Sequence, residues 1–206
     1  EINQTGFKLI HADRNSAESG KKRGGGLAIF VNERWCNPAH AHKKQQICCP
    51  DVEILVTSLR PFYLPREFSH VIALTVYIPP SADAAVACEK THGVVSKLQT
   101  DHPRCLLLIT GDFNHAPLRS TLPTLTQYVT CSTRGTKMLD LFYANVKDAY
   151  TSAPLPPLGR SDHNLISLLP HYTPLVRRTL AQKKSVKIWS DEANERLRDC
   201  FRTTDW

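Results

Sequence analysis

Five side chains able to handle protons or metal ions sit in three short strings. Asp112 and Asn114 lie in Gly111-Asp112-Phe113-Asn114, Asp140 lies in Leu139-Asp140-Leu141-Phe142-Tyr143, and Asp162 and His163 lie in Ser161-Asp162-His163. The first string follows the apolar run Leu106-Leu107-Leu108-Ile109, and the third precedes Leu165-Ile166-Ser167-Leu168-Leu169. A strand that ends in a polar group holds that group on a rigid support. Three carboxylates, an amide and an imidazole presented in this way suit a hard divalent cation and a water nucleophile, the chemistry of phosphodiester cleavage. Each string also has an ordinary reading by itself. Gly, Asp and Asn make turns, Ser and Asp start caps, and a buried Asp can be satisfied by backbone amides. The combination in this order, each member beside an apolar run, is what points to a site.

Such groups need strands to position them. Alternating apolar residues predict strands at residues 7–10, 26–31, 53–59 and 71–77, and Pro79-Pro80 stops the last of these. Over residues 82–100, Val86, Val94, Val95 and Leu98 fit one face of an amphipathic helix. Residues 105–110 form a short continuous apolar run and read as a fully buried strand, with further strands at 128–131, 139–143 and 164–169. Strands first, then alternating helix and strand, imply a mixed α/β sheet system. After Pro170, Arg177-Arg178 and Lys183-Lys184 make a basic stretch that reads as a linker. Ser190 then fits the N-cap of a short helix from Asp191 to about Phe201, with Leu197 and Phe201 on one face.

With 206 residues, 41% hydrophobic and 22% charged, the chain has the composition of one folded domain with an appendage. A net charge of +7 and a pI near 9.1 favour a polyanionic partner such as nucleic acid. No apolar run approaches the ~18 to 20 residues of a membrane helix. Seven cysteines without regular spacing imply reduced thiols and a nuclear or cytoplasmic setting. The opening Glu1-Ile2-Asn3-Gln4-Thr5 has no initiator Met and no signal core, and reads as the middle of a larger protein. Cys36, His40, His42, Cys48 and Cys49 match no common zinc spacing, so a loop with buried thiols is expected there. The string Gly20-Lys21-Lys22-Arg23-Gly24-Gly25-Gly26 lacks the order of a nucleotide phosphate loop. It reads as a basic loop before a strand, with DNA-backbone contact as the alternative. Trp35 and Trp189 are expected to be packing anchors.

The three strings together resemble those of the endonuclease/exonuclease/phosphatase superfamily, which includes abasic-site endonucleases. More closely, the chain resembles the endonuclease domain of LINE-type retrotransposons that lack long terminal repeats. The resemblance is carried by Tyr77-Ile78-Pro79-Pro80, Arg60-Pro61-Phe62-Tyr63-Leu64-Pro65-Arg66-Glu67-Phe68, Gly111-Asp112-Phe113-Asn114-His115 and Gly159-Arg160-Ser161-Asp162-His163. It runs over essentially the whole chain. It implies a four-layer α/β sandwich, two mixed β-sheets flanked by helices, lacking its first strands. Residues 1–170 would form this domain, and 171–206 a basic linker and short helix leading toward a reverse transcriptase region of the parent polypeptide.

The implied activity is metal-dependent nicking of one strand of double-stranded DNA to prime reverse transcription. By resemblance, Asp112 would orient and deprotonate the attacking water, and Asn114 would hold that water or a phosphate oxygen. His163 would stabilise the phosphorane, Asp140 would orient His163, and Tyr77 would contact the scissile phosphate. Asp162 would help bind Mg²⁺ or Mn²⁺. Relatives carry an Asn and a metal-binding Glu upstream of the point where the match begins. Without them the metal should bind weakly and activity should be low. An abasic-site or phosphate-ester hydrolase is one alternative. A domesticated, non-catalytic nucleic-acid-binding or interaction protein on the same scaffold is the other.

Overall fold

The computed structural model describes residues 4–20, 24–116, 121–175, 185–186 and 188–205. The chain divides into one unit over Glu1–Val176 and a second over Arg177–Trp206. In the first unit the strands are β1 (Phe7–Ala12), β2 (Leu27–Asn32), β3 (Cys36–Cys48), β4 (Glu53–Pro61), β5 (Val71–Tyr77), β6 (Leu106–Asp112), β7 (Thr126–Gln127), β8 (Asp140–Ala144), β9 (Tyr150–Leu155) and β10 (Leu165–Pro170). Its helices are α1 (Ser16–Ser19) and α2 (Ala84–Asp101).

The apolar runs of β4, β5 and β6 form the centre of a six-stranded sheet of order β3-β4-β5-β6-β8-β7. The β5–β6 pair is parallel and the others are antiparallel. A parallel neighbour needs a crossover, which α2 supplies. Asp83 caps α2 by accepting from the amides of Ala85 and Val86 at 2.8 and 3.2 Å. Ala87, Val94, Val95 and Leu98 of α2 pack on Ile54, Val56, Ile72, Leu74, Leu107, Ile109, Leu141 and Tyr143. These sheet residues occupy one face because strand side chains alternate.

Two antiparallel hairpins cover the other face. In β1–β2, Ile10, Ala12, Leu27 and Val31 share a cluster with Leu55, Val71, Ala73 and Leu106. In β9–β10, Tyr150, Ile166 and Leu168 pack with Phe142 and Ala144. The expected α/β sandwich is therefore present, with its second sheet layer divided between these hairpins. The α2 prediction is within two residues of the helix, and the 71–77 strand matches β5 at both ends.

Three sequence expectations need correction. The segment holding Cys36, His40, His42 and Cys48 is the edge strand β3 rather than a loop, with Cys36 buried. Its side chains are mostly exposed, and its pairing is broken by bulges, so it lacks the apolar alternation that marks an inner strand. Residues 128–131 are not a strand; Tyr128 and Val129 are buried just after β7. Trp35 and Trp189 are both exposed rather than packed.

In the second unit, α3 (Asp191–Thr203) begins as expected, with the Ser190 hydroxyl oxygen accepting from the Ala193 amide at 3.1 Å. Leu197 and Phe201 are exposed. Arg177, Arg178, Lys183 and Lys184 lie outside the described residues, as do Lys21, Lys22 and Arg23. Among the described residues, no helix is long and apolar enough to cross a membrane.

Candidate active site

Strand register assembles the site. Glu53 pairs with Tyr77, Tyr77 with Asp112, and Asp112 with Asp140, so one row crosses β4, β5, β6 and β8. Register partners point to the same face, here the face covered by the hairpins. At ~4.8 Å per strand, the row spans about 14 Å. Four of the residues singled out by the sequence thus meet here, since His163 reaches the row from the loop between β9 and β10.

Gly111 lets β5 and β6 close up just before Asp112. A Cβ at Gly111 would lie 1.8 Å from the Val76 carbonyl oxygen, so no side chain fits. Past Asp112 the chain turns back through Asn114, which has a positive φ of 47°. Asn tolerates this left-handed conformation better than most residues. Its amide N–H donates to Asp112 Oδ1 at 3.1 Å, and its side-chain Nδ2 donates to the Ile78 carbonyl at 2.8 Å. The turn therefore fixes the Asp112 carboxylate from behind. Burial pushes the Asp112 carboxyl above the ordinary range; the Asn114 amide pulls it back, Asp140 adds to the rise and His163 opposes it.

His163 Nδ1 lies 2.7 Å from Asp140 Oδ2. A carboxylate at that nitrogen makes Nδ1 the donor and leaves Nε2 for other work. Two loops are stitched together to hold the pair. The buried Thr133 hydroxyl oxygen accepts from the amides of Leu139 and Asp140 at 2.9 and 3.1 Å. The Thr133 carbonyl accepts from the Asn164 amide at 2.7 Å, and the Ser161 hydroxyl oxygen accepts from the His163 amide at 3.1 Å. Asp162 does not join the row. Its Oδ2 pairs with Arg134 Nη2 at 2.6 Å on the surface.

Sequence reasoning missed the opposite end of the row. Glu53 is buried, accepts from Arg14 Nε at 2.5 Å through Oε1, and accepts from the Gly26 amide at 3.3 Å through Oε2. Arg14 also donates to the Gly24 carbonyl at 2.9 Å, and its guanidinium carbon lies 5.6 Å from the centre of the Tyr77 ring. The signal was a carboxylate heading an otherwise apolar strand, because a buried charge needs a partner. That partner, 39 positions away, could not be read from spacing.

The donors do not compose a ready site for Mg²⁺ or Mn²⁺. Such ions need several well-placed oxygens. Asp162 is paired with Arg134, Asp140 with His163, and Glu53 with Arg14. Among the described residues, no three His, Cys, Asp or Glu side chains are grouped closely enough to hold a metal.

The fold has solved counterparts. A functionally unknown conserved protein from Enterococcus faecalis V583 superposes with a TM-score of 0.57 at 16% identity, over 80% of this chain and 77% of its own. An endonuclease/exonuclease/phosphatase family protein from Bacteroides thetaiotaomicron gives 0.54 at 12% identity, over 79% and 74%. D. rerio TDP2 complexed with a single-strand DNA product gives 0.52 at 11% identity, over 78% and 75%. No family model and no curated protein matches the chain. The chain therefore has the endonuclease/exonuclease/phosphatase fold.

Proposed function

We propose that this chain is a DNA-directed phosphodiesterase domain, the endonuclease of a LINE-type retrotransposon, which nicks one strand slowly. The observation that carries this reading is the row of Tyr77, Asp112 and Asp140, with His163 held on Asp140. Asp112 takes a proton from the attacking water, and its raised pKa makes it a better base near neutral pH than an ordinary carboxylate. Asn114 fixes its direction. His163 presents Nε2 to the charge that develops on phosphorus, and Asp140 keeps the imidazole in the required tautomer. The Tyr77 hydroxyl contacts a phosphate oxygen. Slow turnover is expected because the acidic side chains are already paired and do not converge on a cation. Basic charge and the DNA complex of a fold neighbour support nucleic acid as the partner.

A nicking assay on supercoiled plasmid, with Mg²⁺ or Mn²⁺ added, tests the proposal. Slow nicking that falls by ~10²-fold or more in Asp112→Ala supports it. The committed pairs Asp162–Arg134 and Glu53–Arg14 favour one second reading, a non-catalytic DNA-binding protein. Salt-dependent duplex binding with no nicking above the Asp112→Ala background would select that reading.

A further inference from the structure

We propose that Arg14 is a phosphate-binding residue, its guanidinium facing a cavity in which it takes a nucleic-acid phosphate oxygen beside Tyr77 and Asp112. This assignment rests on the row being a phosphodiester site, but its test does not depend on cleavage. The cavity has a volume of about 420 Å³ and is bounded by Arg14, residues 24–26, Tyr77 and Asp112.

Arg14 comes from the loop between β1 and α1, and three contacts fix its guanidinium. Glu53 accepts from Nε, the Gly24 carbonyl accepts from Nη1, and the Tyr77 ring lies beneath. Gly25, with φ +93°, leaves the space in which the group lies. A Cβ there would sit 1.9 Å from Arg14 Cζ and 2.2 Å from Nη2. Among the described residues, the Nη2 hydrogens have no acceptor, while the side chain is only 10% exposed. A guanidinium held at Nε and Nη1 keeps Nη2 in a fixed position as a charged donor, which suits a phosphate oxygen. Glu53, accepting from Nε, balances the charge of Arg14. Arg14 and His163 thus approach the row from opposite hairpin loops, each held by a row carboxylate.

The decisive variant is the double change Arg14→Gln with Glu53→Gln. It keeps a hydrogen-bonding pair, leaves net charge unchanged and removes the cation. Duplex affinity is measured in EDTA over a range of salt concentrations, with unfolding followed in parallel. The expected result is affinity lowered about tenfold and a log K against log salt slope smaller by about one contact, in a protein that still unfolds cooperatively. An unchanged slope in the folded double variant overturns the assignment. If that variant does not fold, Arg14→Lys replaces it; affinity lowered about tenfold supports the assignment, and unchanged affinity overturns it.

In the wild-type chain, the Arg14 Nε–H resonance is followed during titration with inorganic phosphate and, separately, with duplex. Movement with duplex alone identifies backbone phosphate, and movement with both identifies the same chemistry in free form. Movement with neither overturns the proposal. Absence of plasmid nicking alongside a reduced slope would remove the enzymatic reading and leave this site standing.

Discussion

The two ends of the row of Glu53, Tyr77, Asp112 and Asp140 use the same device in different surroundings. At one end Glu53 holds Arg14, with side chains 5% and 10% exposed. At the other Asp140 holds His163, with side chains 29% and 23% exposed. Burial makes the first pair a fixed clamp, because neither ion can be re-solvated cheaply if the other leaves. Partial exposure leaves the second pair within reach of water, so its contact is screened and its two members are held less tightly. The same kind of carboxylate contact therefore holds a buried cation on one side of the pocket and a partly exposed imidazole on the other.

Removing one partner from each end should break the comparison most sharply. Glu53→Ala leaves the Arg14 cation buried and should cost ~3 to 5 kcal/mol in urea unfolding. His163→Ala should cost about 1 kcal/mol or less of stability while lowering nicking by ~10² to 10⁴-fold. Equal stability losses at the two ends would mean that burial does not separate them.

The middle of the row makes a subtler prediction. The Asp112 pKa is raised in the fold, so its neutral form is favoured there. The associated stability is present in acid and is lost as pH rises from the ordinary carboxylate range through the raised value. Asp112→Asn escapes that loss, so its melting temperature should match or exceed wild type at neutral pH, with the advantage gone in acid. A deficit at neutral pH would show that the ionised carboxylate is stabilised after all. Nicking by the wild type should fall as pH drops through the same raised pKa, because the base must be ionised.

Much of this arrangement was legible in the sequence, for reasons that differ along the chain. β4, β5 and β6 are buried on both faces, so their apolar runs announce them. β3 is an exposed edge with polar side chains, and β9 carries Thr151 and Ser152 beside Pro154, so neither shows an apolar pattern. Asp112, Asn114, Asp140 and His163 each lie within or beside an apolar run, which is why the sequence singles them out. Arg14 and Glu53 were missed because their meaning lies in a contact between distant segments. Thr133 is fully buried for a similar reason, since its hydroxyl serves amides six and seven positions ahead.

The most direct check on the pocket follows Tyr77 and His163 together. In the full chain, with EDTA present to prevent turnover, a short DNA duplex is titrated while the Tyr77 ring ¹³C and His163 Nε2 resonances are recorded. Both should shift along one curve with one midpoint, as two groups touching a single phosphate must. A response at only one of them, or two unrelated midpoints, would contradict the claim that the row is one site.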